Sequence, residues 1–190
     1  VNVITEFLRR ENHKIVYLFD MDKVLTDPIK DLSAYEREMM NKWIKIMSLR
    51  IRTGHFGSAA SKLRVDDKTI KAMEEVWLKV NPINKRILPT LKQIVKKGYT
   101  MVVASNNYPN LVYQFLDKNN IRNYFQKVYG PENLNGERKP DKKYFIDIAN
   151  ELRVKPSSMI LVDDNTENIN GIKKIGGKGI LYTSHPILKI

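Results

Sequence analysis

Apolar residues gather in short unbroken runs separated by stretches with three- and four-residue spacing, and this alternation sets the fold. The first run, Ile15-Val16-Tyr17-Leu18-Phe19, mixes β-branched and aromatic residues and reads as a buried strand, most easily a central parallel one. Helical spacing follows. Leu32, Tyr35, Met39, Met40, Trp43, Ile46 and Met47 recur on one face, and Ser33 with Glu36 offers a capping box. The Gly- and Ser-containing stretch from Arg50 to Arg64 breaks that pattern. A second amphipathic helix then opens at Asp66 or Asp67, with Ile70, Met73, Val76, Trp77 and Val80 as its apolar stripe.

From Ile87 onward helix and strand alternate regularly. Helices are predicted over Pro89 to Lys97 (stopped by Gly98), Asn110 to Lys118, Asp141 to Leu152 and Glu167 to Ile175 (ended by Gly176). Strands are predicted over Thr100 to Ala104, Lys127 to Tyr129, Met159 to Val162 and Gly179 to Tyr182. The pattern specifies an α/β protein: a Rossmann-like parallel sheet of five main strands with helices on both faces. The early helical block interrupts it. A connection of about 60 residues implies a small α-helical subdomain, so residues 1–27 and 89–190 are expected to form the core and 28–88 the insertion.

With 190 residues the chain suffices for one domain with a proper core. At 42% hydrophobic and 28% charged it has the composition of an ordinary soluble protein, and no apolar stretch is long enough to cross a bilayer. Val1 to Arg10 lacks the basic-then-apolar pattern of a signal peptide. The absence of cysteine excludes disulfides, a thiolate nucleophile and a cysteine-ligated zinc site, and suits the cytoplasm. A net charge of +12 raises the question of nucleic acid. The lysines are scattered over several helices (Lys92, Lys96 and Lys97; Lys142 and Lys143; Lys173 and Lys174), which describes solvated faces and argues against a nucleic-acid partner.

Chemistry collects where strands end. Asp20 and Asp22 follow the first strand, Ser105 and Asn106 the second, and Asp163 and Asp164 the one ending at Val162, while Lys139 precedes Pro140 and a helix. Each alone has an ordinary reading as a capping turn, a helix-start residue or a solvated lysine. In a parallel sheet, however, all these carboxyl ends face one edge, where open α/β sheets bind ligands. An EF-hand reading of Asp20 and Asp22 fails because Val24 and Leu25 stand where an oxygen ligand and a glycine are required. Three carboxylates around one point repel unless a cation sits among them, and oxygen-only ligands favour Mg²⁺. Such an ion and a lysine, facing a serine hydroxyl and backbone amides, would bind a phosphate dianion.

These residues resemble the motifs of the haloacid dehalogenase (HAD) superfamily, in its phosphatase form with a helical cap inserted after the first motif. Asp20, Met21, Asp22, Lys23, Val24 and Leu25 match the first motif, Ser105 the second, Lys139-Pro140 the third, and Asp163, Asp164 and Asn168 the fourth, with Gly176 at the usual helix end. The resemblance implies that Asp20 is the nucleophile forming a phospho-aspartate and Asp22 the general acid and base. Ser105 and Lys139 would hold the phosphoryl oxygens. Mg²⁺ would be held by Asp20, the Asp22 backbone carbonyl and Asp164, with Asp163 supporting it directly or through water, and Asn168 would order the last loop. The second acid, Asp22, favours phosphate chemistry over carbon–halogen cleavage. Lys23 departs from the family, which often has Gly or Asn there.

Asn106 and the cap residues Arg52 and His55 are the candidates for substrate contact, with Arg50 and Thr53 in the same stretch between the two helices. His13 and His185 lie outside every motif and receive no role. The expectation is a Mg²⁺-dependent phosphatase of a small phosphorylated metabolite, monomeric or homodimeric. The alternatives are a phosphomutase-type transfer on a sugar phosphate and a catalytically idle binding or regulatory module. A response-regulator receiver domain also joins an aspartate pair, Ser or Thr and Lys on five strands, but its lysine comes last and no cap interrupts its first connection, whereas here Lys139 precedes Asp163 and Asp164 and about 60 residues are inserted.

Overall fold

The structure, a computed structural model, describes residues 15–183; the segment Val1 to Lys14, His13 within it, and His185 lie outside them. Five parallel strands form one sheet: β1 (Val16–Phe19), β2 (Thr100–Ala104), β3 (Val128–Tyr129), β4 (Met159–Asp163) and β5 (Lys178–Leu181). Their order is β3-β2-β1-β4-β5, so β1 is central, and its four residues are buried on both faces as the unbroken apolar run requires. After β3 the chain returns past β1 to lay down β4 on the other side. That reversal puts the topological switch, and the crevice it opens, at the carboxyl ends of β1 and β4.

Strand alternation sorts the core into two layers. Tyr17, Phe19, Met101 and Val103 face one side and pack with Leu91 and Ile94 of α4 (Leu88–Lys96) and Leu111 and Phe115 of α5 (Pro109–Lys118). Val16, Leu18, Val102 and Leu161 face the other and pack with Tyr144, Phe145 and Ile148 of α6 (Lys142–Leu152) and Ile169 and Ile172 of α7 (Thr166–Lys173).

Between β1 and α4 lie three helices, α1 (Ala34–Thr53), α2 (Phe56–Lys62) and α3 (Asp67–Val80). Both arms of the Ser33–Glu36 capping box are made, and Asp66 caps α3 by accepting from the Thr69 N–H at 2.7 Å. The stretch from Arg50 to Arg64 is not the irregular break the pattern suggested. α1 runs on through Arg50 and Arg52 to end at Gly54 (φ +77), and α2 follows at once. Small residues leave α2 without a legible stripe; it is fixed by Phe56, which packs at 5.2 Å from Trp43 and stacks at 4.4 Å on Tyr108 of the core. Trp77 of α3 meets Phe115 edge-on, so one apolar layer runs from the sheet into the inserted helices.

The two linkers to the insertion run side by side. The Asp27 N–H donates to the Pro82 carbonyl and that of Ile29 to the Val80 carbonyl, each at 2.8 Å, and Thr26 bridges Ile83 in antiparallel fashion. The buried Asn84 amide ties both to the core by donating to the Val24 carbonyl (2.9 Å) and the Tyr182 hydroxyl (2.8 Å). Among the described residues no helix is long and apolar enough to cross a membrane.

Candidate active site

Parallel register does most of the assembly. Phe19 pairs with Val162, and the Asp20 N–H donates to the Val162 carbonyl at 2.9 Å, which brings Asp20 beside Asp163 and Asp164. One carboxylate oxygen from each of the three lies within 4.8 Å of the others. Lys139 arrives from the loop before α6, buried, and its ammonium donates to Asp20 Oδ1 at 2.7 Å and Asp163 Oδ2 at 2.5 Å. Residues separated by 119 positions thus share one buried ion pair.

Each partner is held from behind. Asp163 also accepts from the Asn165 N–H (2.9 Å) and from Asn168 Nδ2 (3.0 and 3.1 Å), so its lone pairs are largely committed to the loop and to Lys139. Asn106 clamps the Lys139 backbone, accepting its N–H and donating to its carbonyl, each at 3.0 Å. That engages the amide expected to contact substrate as a brace for the lysine. Gly171 of α7 closes the arrangement, since a Cβ there would stand 2.4 Å from the Pro140 carbonyl oxygen.

Asp22 leaves β1 in a tight five-residue turn, Met21–Leu25, stitched by Thr26, whose hydroxyl donates to the Met21 carbonyl and accepts from the Lys23 N–H. Lys23 sits at φ +57, the left-handed region that Gly and Asn tolerate best. This gives a physical reason for the family's preference there. Its ammonium lies 3.4 Å from Asp164 Oδ2, alongside the carboxylate cluster. The Asp22 carboxylate accepts from Asn107 Nδ2 at 2.7 Å. Ser105, fully buried, accepts the Asn107 N–H on its Oγ at 3.1 Å, so its own hydroxyl proton is available to another acceptor.

Burial raises the Asp20 pKa from 3.8 to about 7; Lys139 pulls it down, while Asp163 and Asp22 push it further up. Burial alone would lower Lys139, but Asp20 and Asp163 outweigh it and hold the ammonium charged. Asp22 keeps residue surface open to solvent, yet its carboxyl group is crowded by protein; this desolvation raises its pKa against the pull of Lys139 and the Asn107 hydrogen bond. Two lysines, Lys139 and the more exposed Lys23, therefore face four carboxylates, those of Asp20, Asp22, Asp163 and Asp164. The oxygen-only donor set of Asp20, Asp163 and Asp164 fits a hard divalent cation, which would relieve that excess.

Beside Asp22 opens a cavity of about 440 Å³ between α1 and the loops after β2 and before Lys139. Met40, Trp43, Ile44, Met47, Ile51 and Gly54 line it at helical spacing. Arg52 and His55 do not line it and both are exposed; Arg52, one residue past Ile51, is rotated by about 100° away from the lining face. Arg50 does reach it. Only 4% exposed, it forms a two-pronged ion pair with Glu132 and donates to the carbonyls of Asn106 (2.8 Å) and Asn107 (3.3 Å). Neither Asn107 nor Glu132 stood out in the sequence, where nothing marks partners so far apart.

Residues 17–181 match the sequence profile of the haloacid dehalogenase-like hydrolases, and the chain belongs to that family. It is accordingly an enzyme of the hydrolase class. It is 28% identical over 178 residues to a phosphoglycolate phosphatase of Aquifex aeolicus, covering 87% of this chain and 83% of that one. It is 29% identical over 91 residues to a glyceraldehyde 3-phosphate phosphatase of Methanopyrus kandleri, spanning 39% of the latter. Among solved structures, a HAD family enzyme of Bacteroides thetaiotaomicron in complex with magnesium and inorganic phosphate superposes with a TM-score of 0.70 at 17% identity, covering 93% and 98% of the two chains. The L-2-haloacid dehalogenase of Xanthobacter autotrophicus gives 0.70 at 16% identity, covering 92% and 80%. At these identities the structural likeness establishes the fold.

Proposed function

We propose that this hydrolase is a Mg²⁺-dependent phosphatase that cleaves a small phosphorylated metabolite through a phospho-aspartate on Asp20. The observation that carries the proposal is the Lys139 ammonium 2.7 Å from Asp20 Oδ1, at the point where Asp163 and Asp164 converge. A phosphate dianion needs positive charge before a carboxylate can approach it, and the Lys139 ammonium beside the nucleophile supplies that charge. The phosphatase names of the Aquifex aeolicus and Methanopyrus kandleri relatives and the magnesium and phosphate in the Bacteroides thetaiotaomicron enzyme support the same reading.

Asp20 attacks phosphorus, and Lys139 together with the Ser105 hydroxyl holds the phosphoryl oxygens. Asp22, oriented by Asn107, gives its proton to the leaving alcohol. The raised Asp22 pKa suits this role, since the proton must be present to be given. Asp22 then takes a proton from the water that opens the acyl phosphate. Asp20, Asp164 and the Asp22 backbone carbonyl would hold Mg²⁺, with Asp163 behind them; the ion supplies charge neutralisation for the phosphoryl group. Residues 28–88 act as the cap that keeps bulk water from the reaction, and the cytoplasm is the compartment proposed.

Asp20→Asn tests the assignment. Phosphate release should fall at least about a thousandfold while the circular dichroism spectrum and melting curve are retained. Asp22→Asn should instead accumulate labelled phospho-enzyme. Near-wild-type turnover by the Asp20 variant, or full activity in EDTA, would sink the mechanism. Release of phosphate without a bisphosphate product separates hydrolysis from mutase chemistry.

A further inference from the structure

The cavity beside Asp22 is larger, and on its helical side more apolar, than a two-carbon acid requires. A leaving alcohol protonated by Asp22 must occupy it, because Asp22 forms part of its wall. Its volume of about 440 Å³ falls within the ~300–1,000 Å³ of pockets that enclose larger organic ligands. Six apolar side chains, Met40, Trp43, Ile44, Met47, Ile51 and Trp77, supply most of the wall contributed by the inserted helices.

Charge narrows the choice further. Arg50 lies against the cavity, but Glu132 and two carbonyls already occupy its guanidinium, so it offers no uncompensated charge to an anionic alcohol. Among the described lining residues the other cation is Arg138, half-buried next to Lys139 on the opposite wall. A carboxylate on the leaving group could meet Arg138 on that wall, but against the Met, Ile and Trp side of the cavity it would pay desolvation without a charged partner. A flat uncharged ring would instead cover Met40, Met47, Ile44 and Ile51, which Trp43 and Trp77, each 3% exposed, back from within.

We propose that the physiological substrate is a phosphomonoester of an uncharged alcohol carrying an aromatic or heteroaromatic ring, of which nucleoside monophosphates are one class, rather than phosphoglycolate. This rests on the phosphatase reading and specifies its substrate. Ile44 and Ile51, 56% and 59% exposed at the cavity margin, then serve as the outer clasp for the ring.

The test compares alkyl esters of matched leaving-group basicity: ethyl phosphate, phosphoglycolate, 2-phenylethyl phosphate and adenosine monophosphate, with acetyl phosphate as a minimal donor. The ring-bearing esters should exceed ethyl phosphate and phosphoglycolate in kcat/KM by at least about tenfold, mainly through KM, the scale expected for filling an apolar pocket. Ile44→Lys should reduce the 2-phenylethyl to ethyl ratio by about fivefold or more with an unchanged melting temperature. Equal ratios, or preference for phosphoglycolate, overturn the substrate assignment while leaving the phosphatase reading intact.

If no ester and no acetyl phosphate is turned over, the phosphatase reading is what fails, and binding then decides the pocket on its own. The chain's two tryptophans both line the cavity. Adenosine and 2-phenylethanol should shift their emission in a saturable way and glycolate should not. A response to glycolate alone, or to none of the three, overturns the proposal.

Discussion

Arg50 and Glu132 stand 82 residues apart, one on the last turns of the inserted helix α1 and the other in the turn after β3, and they form an ion pair in which Arg50 is buried and Glu132 largely so. The same guanidinium binds the carbonyls of Asn106 and Asn107, the residues that brace Lys139 and orient Asp22. One side chain therefore couples the placement of the inserted helices to the geometry of the loop that carries Asn106 and Asn107. Removing one partner of such a pair leaves a buried charge uncompensated, which costs about 3–5 kcal/mol. Arg50→Ala should lower unfolding free energy by that order in urea titrations and also reduce kcat. Arg50→Met with Glu132→Leu should recover most of the stability without recovering kcat. Loss of stability without loss of turnover would separate the pair from the function of that loop.

The Asp20 carboxyl, raised to about 7 when no cation is bound, makes metal binding and protonation compete. Mg²⁺ should release protons on binding at pH 6 and almost none at pH 8, read by calorimetry in buffers of different ionisation enthalpy. The sign for stability follows. Because the folded pKa lies above the unfolded one, the metal-free protein is favoured below about pH 4 by this group and loses that contribution as pH rises through about 7. The melting temperature in EDTA should accordingly gain more from added Mg²⁺ at pH 8 than at pH 5.5.

Lys23 holds a left-handed backbone that costs a side-chain-bearing residue about 1–2 kcal/mol, and in return makes a solvent-exposed ion pair with Asp164 worth at most about 1 kcal/mol. Lys23→Gly and Lys23→Asn should hold or raise the melting temperature. They should also tighten Mg²⁺ binding by removing a positive charge beside the carboxylates. Weaker Mg²⁺ binding in both variants would show that the lysine supports the site.

Gly171 permits α7 to lie against the Pro140 backbone. Gly171→Ala must push that backbone and Lys139 with it, so destabilisation of about 1–3 kcal/mol should come with a fall in turnover. Gly57→Ala, in helix α2 with nothing within 4 Å of the added methyl, is the control: it should leave turnover unchanged and hold or raise stability, by up to about 1 kcal/mol.

Much of the molecule was legible because strands buried on both faces leave unbroken apolar runs. β1, β2 and β4 were delimited to within a residue, and their ends carried Asp20, Ser105 and Asp163 to the same edge. The capping box at Ser33 worked for the same local reason. What escaped depends on tertiary contact. The sequence Phe56-Gly57-Ser58-Ala59-Ala60 carries no helical stripe, and α2 forms because Phe56 finds Trp43 and Tyr108. The sequence pattern puts Arg50 with Arg52 and His55 between two helices, whereas one more helical turn buries Arg50 and leaves Arg52 on the outside. Asn107, Glu132 and Gly171 owe their importance to residues distant in sequence, and periodicity carries no signal for such pairings.

The two linkers joined by Asp27–Pro82 and Ile29–Val80 hydrogen bonds bring the start and finish of the inserted helices to a common doorway. A stretch spliced in at adjacent points can be lengthened, trimmed or traded without rethreading the sheet. Selectivity can thus be rewritten over evolutionary time while the reaction machinery stays as it was.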